Sequence, residues 1–77
     1  MINVLLFAHL REQYGEESLQ INGAGQSLKD LKKTLTEKYK LENLDQVMVA
    51  INEEFVNDDE VLREGDIVAL IPPVSGG

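Results

Sequence analysis

Leu28, Leu31, Leu35 and Tyr39 recur at intervals of three and four residues, with Lys29, Lys32, Lys33 and Lys38 between them. That period places an apolar stripe on one side of a helix and charge on the other. Ser27 stands where an N-cap hydroxyl belongs, and Asp30 three residues on makes a weak capping box. The spacing predicts one amphipathic helix of about three turns. One such helix cannot bury its stripe alone. It has to lie across a sheet formed by the rest of the chain.

Strand signals flank it on both sides. Ile2 to Ala8 is apolar and rich in β-branched residues, with Ile2, Val4, Leu6 and Ala8 on one face and Leu5 and Phe7 on the other. One face meets the core; the other needs a cover or serves as a contact patch. His9 to Tyr14 reads as a polar, helical-turn-like segment stopped at Gly15. Glu17 to Ile21 alternates as a second strand, and Asn22-Gly23-Ala24-Gly25 is a turn. Beyond the helix, Val47 to Asn52 is a compact strand, Asn52-Glu53-Glu54 a turn, and Phe55-Val56 a short strand. Asn57 to Glu60 is a loop, Val61 and Leu62 are apolar anchors, and Glu64-Gly65-Asp66 turns into a last strand, Asp66 to Ile71. The first and last strands are the most apolar and are expected to lie side by side at the centre, parallel, because the intervening helix supplies the crossover. The expectation is an α+β, ubiquitin-like β-grasp roll: a mixed sheet of about four to five strands with one main helix across one face.

With 77 residues the chain is expected to make one domain, residues 1–71, and a tail, residues 72–77. It contains no cysteine, which removes disulfides, thiolate metal sites and a cysteine nucleophile. No signal peptide is expected, and the apolar runs are far shorter than the roughly 20 residues that cross a bilayer, so a cytoplasmic location is expected. A formal net charge of −7 repels phosphate backbones and anionic lipid. It suits a basic partner surface, or simply solubility. No nucleic-acid or membrane role is expected from it.

Ordinary catalytic constellations are missing. The single histidine, His9, follows a strand and reads as a surface residue. Asp58-Asp59-Glu60 lacks the alternating ligand spacing of a calcium loop, so no metal site is expected. The unusual feature is the ending, Pro72-Pro73-Val74-Ser75-Gly76-Gly77. Two prolines must end the last strand and stiffen the start of the arm beyond it. The six residues could extend about 20 Å. The last two have no side chain, so the arm can enter a slot that any Cβ would block, and its terminal carbonyl is open to attack. The plainer alternative is a frayed terminus, where small residues are tolerated. A carboxylate is a poor electrophile until activated, for instance as an acyl-adenylate made from ATP. No residue of this chain is suited to that step, so a partner enzyme has to perform it.

Three segments together resemble a known family: Glu64-Gly65-Asp66 through Ile71-Pro72-Pro73-Val74-Ser75-Gly76-Gly77, Phe7-Ala8-His9-Leu10-Arg11-Glu12-Gln13-Tyr14-Gly15, and Val49-Ala50-Ile51-Asn52-Glu53. The chain is similar over its whole length to molybdopterin synthase small subunits. The resemblance implies that Gly77 is adenylated by an enzyme like ubiquitin-activating enzymes, using ATP, and converted to a thiocarboxylate. It implies insertion of Pro72, Pro73, Val74, Ser75 and Gly76 into a large subunit, where sulfur passes to cyclic pyranopterin monophosphate. A two-plus-two heterotetramer, catalysis on the large subunit and no bound cofactor are implied in the same way. Phe7 and Arg11 match positions that touch the large subunit; on spacing alone, a core Phe7 and a solvated Arg11 fit equally well. Two other tail-dependent roles stay open, a sulfur carrier for thiazole or cysteine synthesis and a protein modifier joined to lysines through Gly77, as does an interaction domain with an inert tail. Pro72-Pro73 favours the molybdopterin role over the thiazole one.

Overall fold

A computed structural model describes residues 1–42 and 44–73. In chain order the elements are β1 (Ile2–Leu6), α1 (Ala8–Tyr14), β2 (Ser18–Ile21), α2 (Leu28–Tyr39), a 3-10 turn (Leu44–Gln46), β3 (Met48–Ile51), β4 (Glu54–Phe55) and β5 (Ile67–Ile71). The strands form one sheet in the order β2-β1-β5-β3-β4. β1 and β5 run parallel at its centre, Asn3 opposite Ile67 through Leu6 opposite Leu70, and the remaining pairs are antiparallel. This is the β-grasp arrangement expected from the order of elements.

α2 begins where Ser27 caps it: the Ser27 Oγ accepts from the Asp30 N–H at 3.2 Å. Two more of its first N–H groups donate to backbone carbonyls of the acidic loop, Leu28 to Glu60 at 2.8 Å and Lys29 to Asp58 at 3.0 Å. The loop's work is thus partly to satisfy a helix start, a need every helix has. Lys40 ends the helix in the left-handed region at φ 60. Leu28, Leu31 and Leu35 are buried on the sheet against Ile2, Val4 and Leu6 of β1, Leu19 and Ile21 of β2, Val49 and Ile51 of β3, and Val68 and Leu70 of β5.

Two sequence expectations change at the end of β1. The strand stops at Leu6, and Ala8 is not on its core face: it is exposed and opens α1 at φ 52. The reason is Leu10, which is fully buried. Bringing Leu10 under the sheet requires the chain to turn at once, and the Leu10 N–H donates to the Phe7 carbonyl at 3.1 Å. The polar segment 9–14 is therefore a regular short helix, closed by Gly15 at φ 93 with its N–H on the Arg11 carbonyl at 2.8 Å. Tyr14 and Tyr39 meet edge to face, ring centroids 5.8 Å apart, and tie α1 to the end of α2. Val61, read as an apolar anchor, is instead exposed and only bridges Ser27, whereas Leu62 is buried.

β3 and β4 are joined by Asn52 and Glu53, at φ 51 and 74. A two-residue hairpin needs positive φ at both central positions, and Asn-Gly suits it best. Asn52 also clips the hairpin to β5. Its side-chain N–H donates to Asp66 at 3.0 Å, and its side-chain oxygen accepts from the Ile67 N–H at 3.1 Å. Glu53 has no such compensation. Glu53→Gly is expected to stabilise the domain by about 1 kcal/mol, read as a shift in the urea midpoint at constant slope.

Candidate functional site

α2 covers one face of the sheet; the other stays open. Register places Leu5, Ala69, Ala50 and Phe55 in one row across four strands of that open face. Ile67, Ile71 and Met48 flank the row by the same alternation. Phe55 is 65% exposed, Met48 53% and Ile67 44%. An apolar face of this kind on so small a domain marks a contact surface.

Phe7 follows β1 in extended conformation, φ −128 and ψ 155, and carries the side of Leu5 past the end of the strand. It is 45% exposed, so the core alternative is set aside. Phe7, Arg11, Leu5, Glu17 and Ser18 line one shallow groove, and Leu5 also lines the trough formed with Phe55, Ile67 and Ile71. The structure thus brings Phe7 and Arg11 together and joins them to the open face. Sequence reasoning had the two-sided β1 but missed Met48, Phe55, Ile67 and Ile71. Alternation with β1 as a guide could have found them.

The tail root belongs to the same region. β1 and β5 are parallel and in register through Leu6 and Leu70, so they leave the sheet at the same end. Pro72 therefore follows β5 at the end of the sheet where Phe7 follows β1. Pro72 is buried and Pro73 exposed. β5 ends at Ile71, as two prolines require. Val74, Ser75, Gly76 and Gly77 lie outside the described residues.

His9 is half-buried, in a shallow pocket with Ala8, Arg11 and Glu12, and its Nε2 has no hydrogen-bond partner among the described residues. Asp58 accepts from Lys32 Nζ at 2.8 Å. Among the described residues no group of three or more His, Cys, Asp and Glu is placed to hold a metal ion, and no helix is long and apolar enough to cross a membrane. What the described residues offer is a recognition surface near the end of β5; among them no acid, base and nucleophile are brought together.

Fold and site define the class: a ubiquitin-like β-grasp protein with an open apolar sheet face bordering its central strand β5. Comparison with known proteins makes this particular. The chain belongs to the ThiS family, whose model matches residues 4–77. It is 40% identical over 84 residues to the molybdopterin synthase sulfur carrier subunit of Chlamydomonas reinhardtii, covering 99% of this chain and 98% of that one. Among solved structures it is similar to the protein–protein complex of subunits 1 and 2 of the molybdopterin-converting factor from Helicobacter pylori, with 32% identity, a TM-score of 0.73, and coverage of 99% and 97%. It is also similar to the small archaeal modifier protein 1 of Methanosarcina acetivorans, with 28% identity, a TM-score of 0.79, and coverage of 99% and 95%.

Proposed function

We propose that the protein is the sulfur-carrier small subunit of molybdopterin synthase and that the Gly77 carboxylate is its working group. Full-length similarity to sulfur carrier subunits, continued through the Gly-Gly ending, carries this assignment. A partner adenylyltransferase joins the Gly77 carboxylate to the AMP moiety of ATP, releasing pyrophosphate. A sulfur nucleophile then displaces AMP and leaves a thiocarboxylate. The sulfur passes to cyclic pyranopterin monophosphate on the large subunit, where catalysis resides, and two carriers supply the two dithiolene sulfurs. ATP is the partner's substrate, and the carrier itself binds no cofactor. The cytoplasm is its proposed location, with two copies on a dimer of large subunits.

The geometry suits that division of labour. Pro72, Pro73, Val74, Ser75 and Gly76 are the inserted arm; Gly76 keeps it narrow enough for a slot. The open sheet face and the Phe7–Arg11 groove are the docking surface, which supplies the grip while Gly77 supplies the chemistry. Phe7→Ala is expected to weaken the large-subunit complex about tenfold by calorimetry, the ordinary cost of truncating an aromatic anchor. The melting temperature should move by no more than about 2 °C, because Phe7 contributes little to the core. A loss of about 8 °C or more at unchanged affinity, roughly the shift of a 1–2 kcal/mol core defect, would place Phe7 in the core and overturn its docking role.

The direct test is intact mass after incubation with ATP, the activating enzyme and a sulfur source. One oxygen replaced by sulfur, mapped to Gly77, is the expected result. The likeness to a small archaeal modifier protein favours a second reading, conjugation through Gly77, and Gly77 found in an isopeptide bond to lysine would support it.

A further inference from the structure

Of the described residues that line the trough on the open sheet face, one carries a charge, Glu53. The others are Asn52 and apolar residues, Phe55, Ile67 and Ile71 among them. Glu53 is exposed, and its carboxylate has no hydrogen-bond or ion-pair partner among the described residues. Its neighbours differ. Asn52 engages Asp66 and Ile67 with the two ends of its side chain, and the Asp66 carboxylate also accepts from the Arg63 N–H at 2.8 Å. Arg11 and Glu17 line the Phe7 groove together and are opposite in charge. Glu53 is thus the charge on this face that no described residue balances.

The backbone makes the residue type more telling. Glu53 is the second residue of the β3–β4 turn, at φ 74. Glycine adopts that conformation freely, whereas an L side chain is strained in it. Here the side chain strains the turn and forms no polar contact within the domain in return. Strain that the fold does not need is found where a residue serves recognition.

We propose that Glu53 is a specificity-determining residue of the docking face, and that its carboxylate pairs with an arginine or lysine of the large subunit set at the edge of an apolar surface. Covering the trough strips water from the carboxylate, a cost that a cation opposite it offsets. A surface that matches the apolar trough but lacks the cation leaves the carboxylate desolvated and unpaired, so Glu53 rejects wrong partners as well as holding the right one. The formal net charge of −7 favours a basic surface over an acidic one at every distance. The pairing rests on the docking role given above to the sheet face and is independent of the chemistry at Gly77.

The experiment is calorimetric titration of the full chain with the large subunit, at low and at physiological salt. Glu54 is the control: register sets it opposite Ile51 and Phe55 opposite Ala50, so Glu54 lies on the other face of β4. Glu53→Gln and Glu54→Gln change the net charge equally. The first is expected to weaken binding about tenfold and to flatten its salt dependence, the second to weaken it less than about twofold. Glu53→Gly is expected to raise the urea midpoint and still to lose about tenfold in affinity, which separates recognition from folding. Equal effects of Glu53→Gln and Glu54→Gln would reduce the residue to net charge and overturn the proposal. So would wild-type affinity in Glu53→Gly, or tighter binding by Glu53→Lys, which would place an acidic group opposite. Phe7→Ala distinguishes the two levels of failure. Weakened binding in Phe7→Ala with none in Glu53→Gln sinks the Glu53 pairing alone, whereas a wild-type chain that does not bind the large subunit sinks the docking reading and the pairing with it.

Discussion

A chain carrying one extra residue after Gly77 is expected to fold with an unchanged melting temperature and to donate no sulfur. Deleting Gly77 is expected to do the same. The domain ends its last strand at Ile71, and of the described tail residues Pro72 is buried and Pro73 exposed, five and four residues short of the terminus that is changed. Stability should therefore be indifferent to either change. The chemistry is not. An acyl-adenylate forms only at a free carboxylate, and an added residue moves that carboxylate by about 3.5 Å and puts a Cβ where Gly77 has none. A misplacement of even about 1 Å costs a reaction about a hundredfold when its geometry is set by binding. The measurement is molybdopterin formed in a reconstituted system with the intact mass of the carrier checked before and after. Full activity in the extended protein, with its extra residue still attached, would refute the terminal-carboxylate mechanism. Lost activity together with a lost thermal transition would show instead that the tail supports the fold.

The contrast between tail and body explains which features were legible in the sequence. α2 was readable because Leu28, Leu31 and Leu35 repeat at helical spacing and Ser27 caps them, two local signals that agree with the global fold. The parallel pairing of β1 and β5 followed from a crossover rule and two apolar segments. Pro72-Pro73 set the end of β5 by chemistry alone. The failures have physical causes too. Ala8 sits at positive φ, a conformation no propensity favours for alanine, and it is held there by the burial of Leu10. The 3-10 turn at Leu44–Gln46 is a single turn with no periodicity to detect. The open face was half visible: Leu5 and Phe7 showed that β1 had two apolar sides. Which residues of β3, β4 and β5 complete the patch depended on register, and register depends on the whole sheet.

Leu10→Ala is the test of the element that sequence reasoning left ambiguous, and its expected effect is the largest on stability. Leu10 is the one buried residue of α1 and shows no exposed surface. Removing its side chain forfeits the transfer energy and leaves a cavity that a helix of two turns, capped by Gly15 and pinned by Tyr14 on Tyr39, cannot collapse to fill. The cost should be about 2–5 kcal/mol, most of what a 77-residue domain has to lose. Urea unfolding at about 25 °C is expected to show a midpoint near zero or no cooperative transition. The effect reaches the site, because α1 carries Arg11 and begins directly after Phe7. If a sharp transition survives with a loss below about 1 kcal/mol, α1 does not anchor that groove. The docking surface would then rest on the sheet alone. If stability falls as expected, supplying the large subunit in excess should recover part of it, because binding to the folded state draws the equilibrium toward it by RT ln(1 + [L]/Kd). A recovery in Leu10→Ala that is lost when Phe7→Ala is added would join the core of α1 to the docking face in one energetic chain.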